Sequence, residues 1–213
     1  MLQAARAVFA EKGFTHATLD EIAQRAEFGK GTLYNYFEGK ADILYAIFDE
    51  FYDDFIHLLE TAFSSENRAD RSFRDVFRGF LESTFGFFLG HQDMFMLMMK
   101  VAHRMVFSEQ PDQAAYFNQQ RNRLIDSLIV HLEEAMASGE MRRLPSSAVA
   151  HMIFGNINGF LMHLTLDGQE AACGNVENFT PKEAADFLAS VLLDGLLPHR
   201  DGVVSTQHGQ LVA

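Results

Sequence analysis

Residues 28–40 read Phe-Gly-Lys-Gly-Thr-Leu-Tyr-Asn-Tyr-Phe-Glu-Gly-Lys, a run in which Lys30 and Lys40 bracket a threonine, an asparagine and two tyrosines. Side chains of these types donate to the phosphate oxygens and base edges of a duplex, phosphate contacts fixing position and base contacts carrying sequence information. If the segment is a short helix with Leu33 and Phe37 inward and one turn apart, Gly31, Thr32 and Asn35 point away and Tyr34 and Tyr36 flank that outward face. Gly31 puts no side chain between the backbone and a groove.

Other chemistries find less support. Asp54 and His57 are the sole carboxylate-x-x-His pair, whereas a di-iron bundle takes Glu-x-x-His from each of two helices. Cys173 is the single cysteine, in a polar loop with no histidine beside it, and no nucleophile elbow or phosphate-cradling glycine loop is present. The expectation is neither an enzyme nor a metal or cofactor site. A lone cysteine forms no intrachain disulfide, no leader-like segment precedes the first helix, and no apolar run reaches bilayer-spanning length, so a cytoplasmic protein off the membrane is expected.

A second constellation is apolar. The chain carries 21 phenylalanines and 10 methionines with no tryptophan. Phe77, Phe80 and Phe88 fall on one expected helix, Met98 and Met99 on the next, and Phe117 on a third. Any one of these is core packing; as a set of adaptable side chains they can line a pocket for a small hydrophobic molecule. His103, Arg121, Asn156, Asn158 and His163 are the polar groups that could orient it.

The elements that must position these residues are helical, because apolar residues recur at helical spacing and prolines number only four. A first helix from about Leu2 to Lys12 ends at Gly13, with Phe14 folding back onto Phe9. Thr18 and Glu21 form a capping box that starts a second helix, a third carries Leu33 and Phe37, and Lys40 opens a fourth that runs to about Phe63. The polar stretch Ser64 to Asp70 reads as a domain boundary. Longer helices follow at roughly Phe73 to Leu89, Met94 to Phe107, Asp112 to Ser138, Ser147 to Leu166 and Pro181 to Leu197. Gly155 and Gly159 allow another helix to approach closely, and Leu188, Leu192 and Leu196 form a stripe, so these last two helices are read as a homodimer interface.

Charge opposes nucleic-acid binding at first sight. The net charge is −12, and residues 1–50 hold five basic against eight acidic residues, so any DNA contact must be local.

Thr18 to Ala26, followed by Phe28-Gly29-Lys30-Gly31-Thr32-Leu33-Tyr34-Asn35-Tyr36-Phe37 and Lys40, closely resembles the N-terminal signature of the TetR family, over roughly Ala5 to Phe51. The chain is read as all-α; the resemblance implies a three-helix helix-turn-helix DNA-binding domain at 1–45 and a larger ligand-binding and dimerisation domain at 46–197, and the tail 198–213, which mixes Gly, Ser, His and Gln with few anchors, is read as flexible. It further implies that Thr18, Lys30, Thr32, Tyr34, Tyr36 and Lys40 touch DNA, mostly phosphates. Two departures stand out: Glu27 occupies the usual turn glycine, and Gly29 the usual Ser or Thr cap. The expected function is a repressor that binds double-stranded palindromic operator DNA as a homodimer and is released by a small hydrophobic effector. The alternative is a helical sensor or carrier without DNA binding.

Overall fold

The computed structural model describes residues 1–106, 111–166 and 179–196, apart from the side chains of Lys30, 102–106, 111–114, 166, 195 and 196. Among the described residues every regular element is an α-helix: α1 (Leu2–His16), α2 (Leu19–Arg25), α3 (Lys30–Tyr36), α4 (Lys40–Ala62), α5 (Ser65–Arg68), α6 (Phe73–Gly90), α7 (Gln92–Val106), α8 (Pro111–Ser138), α9 (Ser146–Leu166) and α10 (Pro181–Leu196). The tail 198–213, the Cys173 loop and the His103 side chain lie outside the described residues.

Local sequence sets the helix ends. Gly13 takes φ 73 and breaks α1, a left-handed geometry that glycine adopts without strain, and the chain turns so that Phe14 packs on Phe9 with ring centroids 5.5 Å apart. Thr18 and Glu21 exchange capping bonds, the Thr18 Oγ1 accepting from the Glu21 N–H at 3.3 Å and the Glu21 carboxylate from the Thr18 N–H at 3.1 Å. One Asp42 oxygen accepts the Glu38 and Gly39 N–H groups at 2.9 and 3.1 Å and so starts α4. Ser72 caps α6 through the Asp75 N–H, and Gly139, at φ 81, closes α8.

α1 packs against α2, α4 and α7, and α2 against α3. Phe9, Ile22, Leu33, Ile43 and Ile47 form the centre of this N-terminal cluster, each buried; fully burying side chains of this size stabilises the fold by about 1.5–3 kcal/mol apiece. Farther along, α4 packs on α6 and α8, α8 on α9, and α10 on α6. α4 therefore packs on helices from both ends of the chain within one continuous buried cluster, and the 45/46 division falls inside it.

The polar stretch 64–70 is structured. It folds as α5, and Arg68 reaches from it to Glu134 on α8 at 3.0 Å and to Glu140 at 3.1 Å. Its polarity goes with its exposure.

Candidate nucleic-acid interface and apolar cavity

α2 and α3 form the helix-turn-helix. Leu33 is fully buried while Gly31, Tyr34, Asn35 and Tyr36 face solvent, Tyr36 being 71% exposed. Thr32 is half-buried and Thr18 exposed. A methyl group placed at Gly31 would meet nothing within 4 Å. The fold itself therefore has no steric need of glycine there.

The turn between the two helices carries the first departure. The Phe28 N–H donates to the Ala23 carbonyl at 3.1 Å and the Glu27 N–H to the Gln24 carbonyl at 3.2 Å, the paired bonds of a Schellman motif. Glu27 takes the left-handed position at φ 57, a conformation that costs an L-residue about 1–2 kcal/mol. Gly29 starts α3 with no side-chain cap.

Lys40 is held within the chain. Its ammonium donates to the carbonyls of Phe14 at 2.8 Å, Thr15 at 2.9 Å and Ala17 at 3.0 Å, and lies over the Phe14 ring. All three ammonium protons are thereby engaged, so Lys40 ties the start of α4 to the α1–α2 link. Other cations of this unit are likewise held: Arg6 by Glu50 at 2.8 Å, Lys12 by Glu21, and Arg25 by both oxygens of Glu11 at 2.9 and 2.7 Å. The bond from Arg25 holds the Glu11 carboxyl below its ordinary pKa, and that from Lys12 does the same for Glu21. The Lys30 side chain lies outside the described residues.

The larger body contains a cavity lined by Phe51, Tyr52, Phe55 and Leu59 of α4, Phe80 and Phe88 of α6, Phe95, Met98 and Met99 of α7, Leu124, Ile125 and Leu128 of α8, and Phe154, Ile157 and Asn158 of α9. Its open volume is about 50 Å³. A drug-sized ligand fills about 300 Å³ or more, so a long occupant must displace side chains. Burial pushes the Tyr52 hydroxyl up to about 12, with Arg121 opposing, so Tyr52 stays a neutral donor on the wall.

Of the residues expected at a pocket, Phe80, Phe88, Met98 and Met99 reach this wall. Phe77 does not; it packs behind, its ring 5.7 Å from Phe73. Phe117 packs edge-on against Phe48 at 5.4 Å. Arg121 is exposed, as are Asn156, whose amide donates to the Met152 carbonyl at 2.7 Å, and His163, which stacks on Phe160. Asn158 reaches the cavity while its amide also donates to the Phe154 carbonyl at 2.8 Å. The α4 wall is absent from the sequence expectation, and on α8 the expectation names Phe117 and Arg121 where Leu124, Ile125 and Leu128 form the wall.

The expected dimer surface divides. Gly155 and Gly159 are exposed, with nothing within 4 Å of an added methyl group. Leu188 and Leu192 instead point inward in the body built on α6, at 4% and 6% exposure, because α10 buries its leucine stripe within its own chain. Phe187 at 48%, Val191 at 58% and Met152 are what these helices leave outside. The Leu196 side chain lies outside the described residues.

Between α4 and α8 lies a polar cluster. The Tyr116 hydroxyl is 2.8 Å from Asp49 Oδ1 and 3.0 Å from the Tyr45 carbonyl, and Gln120 Nε2 donates to the same Asp49 oxygen at 2.6 Å. Arg123 donates to Gln120 at 2.6 Å and to Asp53 at 2.7 Å. Burial first, and the Asp49 carboxylate next, push the Tyr116 hydroxyl far up, so it remains a donor.

Among the described residues no group of three or more metal-ligating side chains is placed to hold an ion, and no helix is long and apolar enough to cross a membrane.

Residues 1–47 match the family of bacterial regulatory proteins described as the tetR family. Over 60 residues the chain is 38% identical to the fatty acid metabolism regulator protein of Bacillus subtilis, a match covering 28% of this chain and 31% of that protein. In structure it is similar to the transcriptional regulator FadR from Bacillus subtilis in complex with stearoyl-CoA, with a TM-score of 0.74 and 21% identity over 91% of this chain and 96% of that one. It is equally similar to the fatty acid degradation regulator FadR from Bacillus halodurans, with a TM-score of 0.74 and 20% identity over 92% and 97% of the two chains. At such identities the structural likeness speaks for the fold.

Proposed function

We infer that this chain, a TetR-family protein by its N-terminal segment and its fold, is a ligand-released transcriptional repressor. It binds a palindromic operator in double-stranded DNA as a cytoplasmic homodimer, and a long-chain acyl compound entering the cavity lowers its affinity for that DNA. No catalytic step belongs to this reading. The observation that carries it is the double membership of α4. Lys40 and Arg6–Glu50 bind the early turns of α4 to the rest of the helix-turn-helix, and Phe51, Tyr52, Phe55 and Leu59 on the later turns line the cavity. An occupant that shifts the later turns must carry the recognition helices with it.

Release then needs only a differential affinity of the effector for the two positions of α4. Dimer formation through α9 and α10 would hold two recognition helices at the spacing of successive major grooves, about 34 Å. Gly155, Gly159, Met152, Phe187 and Val191 are the exposed groups available to it. Thr18, Lys30, Gly31, Thr32, Tyr34, Asn35 and Tyr36 remain the proposed DNA contacts. The acyl class is supported by the apolar wall and by the ligand named for the Bacillus subtilis FadR complex.

A second reading, an acyl-binding sensor without DNA binding, is favoured by one observation: Arg6, Lys12, Arg25 and Lys40 are all held by partners within the chain. Selection of duplexes from random sequence, followed by affinity measurement across salt concentration, separates the two. A selected palindrome bound with a salt slope of about −0.9 per phosphate contact supports the regulator; no enrichment of any duplex supports the sensor.

A further inference from the structure

The polar cluster between α4 and α8 lies on the same seam as the cavity, one turn nearer the recognition helices. Tyr116, Gln120 and Leu124 follow one another at four-residue intervals along a single face of α8, and Leu124 is a cavity residue. On α4, Asp49 precedes the cavity residue Tyr52 by one turn. The two kinds of contact respond differently to separation. Apolar side chains repack by small shifts and lose attraction gradually, while hydrogen bonds of 2.6–2.8 Å to one carboxylate oxygen weaken steeply once distance and angle are lost. Asp49 Oδ1 can hold both donors only while α4 and α8 stay at this spacing.

We propose that Asp49, Tyr116 and Gln120 form a latch that keeps α4 against α8 in the operator-binding form, and that an acyl compound in the cavity weakens operator binding by prising these helices apart. The inference rests on the reading of the chain as an effector-released regulator. The three are positioning residues, acting through α4 and touching neither DNA nor effector. The Tyr116 ring also packs on Tyr45 at 4.4 Å between centroids, so removal of the hydroxyl alone leaves the packing in place.

The test uses the full chain, a duplex selected by it from random sequence, and palmitoyl-coenzyme A as probe. Tyr116→Phe should weaken operator binding about tenfold, equivalent to about 1.4 kcal/mol, and speed amide exchange over residues 40–49. By linkage, a variant that populates the unlatched form binds the probe more tightly while it binds DNA less tightly. A merely structural defect lowers both affinities together, and that outcome overturns the latch. So does wild-type operator affinity with unchanged exchange. Gln120→Met, which keeps the buried volume, provides a second reading should Tyr116→Phe lose stability. If palmitoyl-coenzyme A fails to bind the wild-type chain, the acyl reading fails, and the latch is decided by operator affinity and exchange, which need no effector.

Discussion

The ammonium of Lys40 lies 5.0 Å from the centre of the Phe14 ring and donates to the Phe14 carbonyl at 2.8 Å. One side chain thus fastens the start of α4 to the end of α1, joining the recognition unit to the helix that lines the cavity. Lys40→Met should lower stability by about 1–2 kcal/mol, the scale of lost charge-assisted bonds at a half-buried site, with weaker operator binding as a consequence. Denaturant unfolding alongside operator titration checks this; lost DNA binding at full stability would return Lys40 to phosphate contact.

Glu27→Gly should stabilise the chain by up to about 1 kcal/mol, since relief of left-handed strain outweighs the added freedom of the unfolded glycine. Removing a carboxylate from the turn should also strengthen operator binding. Gly29→Ser, at an ordinary φ of −61, should add a cap and contribute a few tenths of a kcal/mol to about 1 kcal/mol. Thermal unfolding of both variants decides the matter, and destabilisation by Glu27→Gly would mean that the carboxylate has a structural partner.

Thr84 is fully buried on α6, and its hydroxyl finds no hydrogen-bond partner among the described residues. Replacing an unpaired buried hydroxyl by an isosteric methyl removes a desolvation cost of about 1–3 kcal/mol. Thr84→Val should therefore raise the unfolding midpoint. A drop would show that the hydroxyl is paired in solution.

Glu11 and Glu21 have carboxyls held below the ordinary value of 4.5 by Arg25 and Lys12. Groups whose folded pKa is depressed contribute stability that is present above the unfolded pKa and lost as pH falls through the folded one. The pairs joining α1 to α2 should accordingly weaken below about pH 4.5, and Glu11→Gln should flatten that part of the stability profile. Urea unfolding between pH 3 and 7 (about four units, spanning the carboxylate range) is the measurement; parallel profiles for wild type and variant would refute it.

How much of the fold and site is legible in the sequence depends on distance along the chain. The Thr18–Glu21 box, the break at Gly13 and the Phe9–Phe14 contact lie within a few residues and follow from local chemistry. Lys40 escapes such reasoning because its carbonyl partners lie 23 to 26 residues away, where lysine spacing carries no signal. The leucine stripe of α10 is visible in its periodicity, but periodicity marks the buried face without saying which neighbour buries it; α6 of the same chain does. The α4 wall and the Leu124, Ile125 and Leu128 face of α8 are hidden for a related reason, since an apolar stripe does not reveal whether the space opposite is filled. Glu27 is readable as a departure, and its left-handed φ is the geometry that the position demands.

The most direct test of effector-controlled release is a titration of palmitoyl-coenzyme A into the complex of this protein with its selected operator, followed by fluorescence anisotropy of the DNA. Release by the wild-type chain is predicted, with resistance in Leu128→Trp, where the cavity is filled from α8. Acyl binding that leaves operator affinity unchanged, or equal release from the filled variant, would contradict coupling through the cavity.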